Sequence, residues 1–410
     1  MRVLTDRINV VLLGLVVLLI QTGNIYGQGS GGLYEQKCGR CHDLFEANEY
    51  SAEEWPGQVR AMRVQSALIP DQYEEIVNYL VNAAREEESS YIGKVNWGGY
   101  LYTEYFHTED KAKNFDLHYL NFTLSGWASE KINFIGEFEL EHGGTGGSNT
   151  FVEEAYIDYW FVPNLGIKVG AMLTPFNRFD EFHAPLMNYT VTRPQISREI
   201  GVSAWKDVGV DLHGYLNFDA HNSLSFDLYT INGLGDGSRM RNSRQYRDNN
   251  EDKAIGARVN LTLQDALEVG FSVYNGAWDD AGDYDLTMVG GHVMLHTSLV
   301  DLYGEFASAS SENPTGVEDG DMSGYFIQAS KLINKVVRPT VRYGKLDYLD
   351  PGSALGRSAR DTDLNELVLC LGIYPNPRVV LKIEYQIFGK GSRASTKTPD
   401  QLGLQFAVRF

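Results

Sequence analysis

Lys131-Ile132-Asn133-Phe134-Ile135-Gly136-Glu137-Phe138-Glu139-Leu140-Glu141-His142 alternates along most of its length. Ile132, Phe134, Phe138 and Leu140 share one face with Gly136, and Asn133, Glu137, Glu139 and Glu141 share the other. A period of two marks a strand whose two sides meet different surroundings. A soluble sandwich seldom sustains so long a run around a row of carboxylates. A wall with lipid on one side and water on the other demands it.

The pattern recurs on both sides of this stretch. Residues 165–173 turn Ile167, Val169, Ala171 and Leu173 outward, 208–218 do so with Val208, Val210, Leu212, Leu216 and Phe218, and 255–263 with Ile255, Ala257, Val259, Leu261 and Leu263. Residues 379–387 set Val379, Leu381, Ile383, Tyr385 and Ile387 against Val380, Lys382, Glu384 and Gln386. The predicted strands are 96–107, 115–128, 131–142, 151–161, 165–175, 207–217, 223–231, 253–263, 267–276, 286–298, 300–310, 322–333, 338–348, 364–374, 378–388 and 401–410. Sixteen is an even number, and short turns alternate with long connections at 176–206, 232–252, 311–321, 349–363 and 389–400. Both features follow the rule for bacterial outer-membrane barrels, with short turns in the periplasm and long loops outside. Trp127, Trp160, Phe161, Phe218, Tyr374 and Phe410 gather near the short turns, as an interfacial belt would. The expected fold is an all-β transmembrane barrel of about sixteen antiparallel strands behind a small all-α domain.

The totals agree. Lys and Arg number 35 against 54 Asp and Glu, a formal charge of −19 that excludes a nucleic-acid partner. Glycine, at 42 residues against 12 prolines, suits long twisted strands.

The front of the chain differs. Arg2, Arg7 and the apolar run Val10 to Ile20, followed by small residues up to Gly27, read as a signal peptide over 1–27. Export fits the next motif, Cys38-Gly39-Arg40-Cys41-His42. Cys-x-x-Cys-His is the attachment pattern of haem c: both thiols bond the porphyrin and the adjacent imidazole ligates its iron. A zinc site would need further Cys or His ligands, and residues 43–90 contain none. Met62, the only methionine between the signal and the first strand, supplies the sixth ligand or else packs against the porphyrin; ligation is the reading adopted. Three helices are expected, over Leu33 to Ala47, over Ala52 to Ala67 with Ser51 and Glu54 as a capping box, and after Pro70 with Tyr73, Ile76, Val77 and Leu80 on one face. The haem domain then spans 33–85, a linker 86–95 and the barrel 96–410.

Cys38 to His42 with Trp55-Pro56, Val59, Met62, Leu68 and Ile76-x-x-Tyr79-Leu80 resembles small monohaem c-type cytochrome domains. The closing run Leu402, Leu404, Phe406, Val408, Phe410 resembles the last strand of outer-membrane porins. Thr192-Arg193-Pro194 through Trp205-Lys206-Asp207-Val208-Gly209-Val210-Asp211-Leu212-His213-Gly214 resembles the phosphate-selective porin family, which implies anions passing basic lumen residues. The assignable lumen face departs from that pattern, with Glu137, Glu139, Glu141, Glu154, Asp158 and Asp211 against Lys168, Arg258, Lys382 and Arg409. The loop 176–206 is long enough to fold back into the pore, with Arg178, Arg193 and Arg198 as candidate constriction residues. Arg239, Arg241, Arg244 and Arg247, and the acidic groups Asp279, Asp280, Asp283, Glu318, Asp319 and Asp321, read as solvated or lipopolysaccharide-facing loop charge. Cys370 reads as an inert barrel thiol.

Joined, the two parts resemble fused monohaem cytochrome–porins of iron-oxidising bacteria. The resemblance implies an electron-transfer protein rather than a conventional enzyme. One covalent haem c would link an extracellular donor or acceptor, iron among the candidates, with periplasmic electron carriers. The alternative is a solute- or ion-selective porin with a tethered periplasmic haem domain. Outer-membrane lipid is the expected surroundings, a homotrimer the candidate assembly, and the haem domain would sit below the barrel or within its lumen.

Overall fold

The computed structural model describes residues 30–39, 44–47, 50, 52, 55–62, 66, 68, 70–86, 93 and 95–410, apart from 109–112, 143–149, 220, 238, 356–357 and 392–396. The signal peptide, Cys41, His42 and the Ser51–Glu54 capping box lie outside the described residues.

Among the described residues three helices precede the barrel: α1 Ser30–Cys38, α2 Trp55–Met62 and α3 Pro70–Glu86. The third opens on proline, whose missing N–H costs nothing in a first turn. It buries Tyr73, Ile76 and Leu80, the face that the spacing predicts. The other two are shorter than expected. The first stops at Cys38, where the Gly39 N–H donates to Glu35 O at 3.0 Å. The second is described over Trp55–Met62, with turns at Ala52 and Ser66 on either side. Leu33, Tyr34, Cys38, Trp55, Val59, Leu68, Ile76 and Leu80 form a common apolar cluster. Polar tips are satisfied at its edge: Trp55 Nε1 donates to Ala47 O at 2.7 Å and Tyr73 Oη to Pro56 O at 2.9 Å.

The barrel strands are β1 Val95–Thr108, β2 Asn114–Ser129, β3 Ile132–Glu141, β4 Thr150–Val162, β5 Leu165–Leu173, β6 Lys206–Asn217, β7 Ser223–Ile231 and β8 Ala254–Leu263. They continue as β9 Leu267–Ala277, β10 Asp285–His296, β11 Asp301–Ser311, β12 Gly320–Ser330, β13 Val337–Asp350, β14 Arg360–Asn376, β15 Val379–Lys390 and β16 Gln401–Arg409. Each pairs antiparallel with its neighbours in sequence, and β1 closes on β16 from Tyr100↔Arg409 to Thr108↔Gln401. Closure leaves no open edge, which a lipid-embedded sheet cannot tolerate. Alternation holds as expected: Phe138 is 44% exposed toward lipid and Glu139 1%, Tyr385 45% and Glu384 1%. No helix among the described residues is long and apolar enough to cross a membrane; the strands do the crossing.

Most bounds shift by a residue or two, and two strands differ by more. The twelfth ends at Ser330, not residue 333, because Asn334 and Lys335 take positive φ (49° and 60°) and a tight hairpin pairs Ile333 with Val337. The fourteenth starts at Arg360, where polar residues extend its pairing with β13 beyond the apolar band. The aromatic belt also needs correction. Phe161, Phe218 and Phe410 are exposed outside, whereas Tyr374 is buried and Trp127 packs on the helical cluster. Register shifts beside Trp127, Trp160 and Tyr374 re-aim these side chains.

The helical unit touches the barrel at the end where β1 begins and β16 ends. Tyr50 packs edge-on against Trp127 with centroids 5.7 Å apart, and Arg409 Nη1 donates to Gly39 O.

Candidate functional site: the lumen and its inward loop

Residues 174–205, between β5 and β6, carry Phe176, Phe179, Phe182, Leu186, Ile196, Ile200, Val202 and Trp205. A loop this apolar has no stable place in water, and every one of these side chains is buried. It folds into the lumen, where Phe176, Phe179, Ile196, Ile200 and Trp205 meet Tyr229, Tyr274, Phe326 and Tyr348 of the wall. A 3-10 turn at Phe179–Phe182 and the short helix α4 Gln195–Glu199 shape its two limbs.

Charged side chains of the wall hold the loop at three places. On β8–β11, Arg258 donates to Asn177 O at 2.8 Å and Asp227 Oδ2 at 2.9 Å and pairs with Glu181. Arg178 binds Glu268 at 3.0 Å, and Glu305 Oε1 accepts the N–H groups of Arg178 and Phe179 at 2.8 and 2.7 Å. On β13–β15, Glu384 accepts Val191 N at 2.6 Å, Thr192 Oγ1 at 2.5 Å and Thr192 N at 3.2 Å. Arg342 donates to Thr190 Oγ1 at 2.6 Å and Thr192 O at 2.8 Å, and Lys382 to Thr190 O at 3.0 Å. Near the outer loops, Glu199 pairs with Arg241 and Arg360.

The return to β6 is bent sharply. Val202, Ser203 and Ala204 all take positive φ, 63°, 53° and 54°, which is costly for side chains with a Cβ and worst for a β-branched one. Arg244 steadies the bend by donating to Ser203 O at 3.1 Å and Ala204 O at 3.2 Å.

Wall groups beneath the loop are sealed: Arg258, Glu268, Glu305, Arg342, Lys382 and Glu384 are all buried. On the opposite side, Glu137, Glu141, Glu154 and Lys168 of β3–β5 stay half-exposed. The half-exposed charges of β3–β5 are therefore three carboxylates to one ammonium.

The expected constriction arginines separate. Arg178 is buried as an anchor, Arg198 is exposed, and Arg193 pairs with Asp180 at 3.4 Å. Arg241 and Arg244 are not merely solvated, since both grip the loop. Asp279 accepts the N–H groups of Asp283 and Tyr284 at 2.8 and 2.9 Å, closing its own turn. The main anchors Glu384, Glu305 and Arg342 were not singled out from sequence as loop anchors, although alternation already turns Glu384 inward.

The Gram-negative porin family model matches residues 80–385. The chain belongs to the Gram-negative porin family. An uncharacterised protein of Aquifex aeolicus (strain VF5) is 25% identical over 333 residues, 71% of this porin and 75% of the relative. Among solved structures, OmpT of Vibrio cholerae in its trimer form is 10% identical with a TM-score of 0.55, covering 78% of the porin and 100% of OmpT. Salmonella typhi OmpF, in complex with daunomycin, gives 13%, 0.55, 77% and 98%, and an anion-selective porin from Comamonas acidovorans 12%, 0.53, 77% and 98%. At such identities the likeness is one of fold, an outer-membrane barrel.

In the porin's helical part, Cys38 ends α1 with its side chain buried in the apolar cluster, an environment that suits a thioether to a porphyrin edge. Met62 is the last residue of α2 and is 38% exposed. Cys41 and His42 lie outside the described residues.

Proposed function

We propose that the porin is a diffusion channel for small hydrophilic cations, with a haem c-bearing helical unit at its periplasmic mouth. The observation behind this reading is the one-sided loop. Its anchoring consumes Arg178, Arg258, Arg342 and Lys382 in buried pairs and hydrogen bonds, leaving Glu137, Glu141 and Glu154 against Lys168 on β3–β5. Rings or rows of one charge sign set the preference of such pores. The anion preference implied by the phosphate-selective resemblance has a single half-exposed basic group on β3–β5, Lys168, to support it. Reversal potentials across a salt gradient in planar bilayers test the reading: a cation-selective sign is expected, and an anion-selective sign refutes it.

Cys38 and Cys41 would hold the haem covalently, with His42 and Met62 as axial ligands; the bound group supplies a one-electron redox centre. Leu33, Trp55, Val59, Leu68 and Ile76, which cluster with Cys38, would exclude water from it. A second reading, electron exchange between an extracellular donor or acceptor and periplasmic carriers, draws on the Arg409–Gly39 contact, which fastens the residue next to Cys38 onto β16. The apolar band to be bridged is about 25 Å tall. Liposomes enclosing a reduced dye with an impermeant iron(III) chelate outside test it. Dye oxidation lost when both Cys38 and Cys41 are replaced by alanine supports exchange, and conductance without oxidation leaves the channel alone. A homotrimer is proposed on the likeness to OmpT, and sizing in detergent tests it.

A further inference from the structure

We propose that Asp116, His118 and His142 form a binding site for a divalent first-row transition metal at the outer mouth of the barrel. One ligand atom from each lies within 4.8 Å of the others. His142 Nδ1 is 2.8 Å from Asp116 Oδ2, and His118 Nδ1 is 3.1 Å from the same oxygen. Donors bound to one metal at about 2.0–2.1 Å stand roughly 3 Å apart, so little movement separates this arrangement from a coordination sphere. Glu104 Oε2 lies 3.1 Å from His118 Nδ1, while its other oxygen is fixed by Gln405 Nε2 at 2.7 Å. That places a carboxylate oxygen beside His118, outside the three-residue cluster itself.

The backbone is shaped to make this cluster. Tyr102 pairs with Tyr119 and Thr103 with Leu117, so His118 is the extra residue of a β-bulge. The bulge turns His118 to the lumen side together with its neighbour Tyr119, and its ring stacks on Tyr102 with centroids 5.2 Å apart. Bulges commonly re-aim a side chain in this way. His142 follows β3 directly with φ +49°, and its half-exposed ring faces the outer vestibule. Two imidazoles with carboxylates favour zinc, copper, nickel, cobalt or iron(II), whereas calcium and magnesium prefer oxygen alone.

Calorimetric titration of the full-length protein, in detergent, with Zn²⁺ tests the proposal, Ca²⁺ serving as the control. One saturable equivalent of Zn²⁺ that Ca²⁺ does not displace is expected. His142→Ala, which removes a half-exposed ring beyond the strand, should weaken it roughly tenfold or more, and Asp116→Asn likewise. Heat-shifted gel migration verifies that each variant barrel is folded. Absence of saturable Zn²⁺ binding, or wild-type affinity in both folded variants, overturns the proposal.

Discussion

Replacing Glu384 by alanine should release the inward loop from its β15 anchor. The carboxylate is 1% exposed and accepts three hydrogen bonds, from Val191 N, Thr192 N and Thr192 Oγ1. A hydrogen bond to a charged group contributes about 1.5–3 kcal/mol, but the three share one carboxylate and do not add. Removing one charged partner from a buried network costs about 3–5 kcal/mol. The barrel's own ladder is untouched, so the loss falls on the docked state of the loop and shifts its undocking equilibrium by roughly a thousandfold. Single-channel recording should show larger conductance and greater open-channel noise. Glu384→Gln keeps one carbonyl acceptor and should lie between. Thr192→Val removes one of the same bonds, so the double variant should fall short of additivity. Wild-type conductance and noise in Glu384→Ala would refute the idea that this carboxylate holds the constriction.

Three other changes probe the same physics. Gly290→Ala on β10 would overlap the Asn177 side-chain amide; the resulting overpacking should cost about 1–3 kcal/mol and alter conductance without loss of the barrel. Arg244→Ala removes both bonds to the strained Val202–Ala204 bend. Protease added from outside should then cleave the 174–205 loop faster than in wild type. Replacing both Cys38 and Cys41 by alanine should abolish the covalent haem, read as loss of haem stain on a denaturing gel while conductance persists.

Most of the barrel was readable from residue order because lipid enforces it. Val379 to Ile387 must alternate where one face meets hydrocarbon, and the sixteen strands fall close to where alternation puts them. Legibility fades where lipid stops acting. Arg360-Asp361-Thr362-Asp363 extends β14 above the apolar band, and no periodic burial announces it. The bulges that turn Tyr374 inward and add His118 to the lumen depend on cross-strand register, which one strand cannot reveal. The loop anchors are harder still. Glu384 and Arg342 read as ordinary lumen charges until a 32-residue loop has found its path, and their partners lie about 150 to 190 residues away in sequence.

The contact between Arg409 and Gly39 has a consequence for biogenesis. Arg409 ends β16 and takes its place when that strand zips onto β1. The helical cap therefore cannot seat until the cylinder is complete. The helical unit, which precedes β1 in the chain, must wait for β16 before this contact can form, so the contact reports that the cylinder has closed.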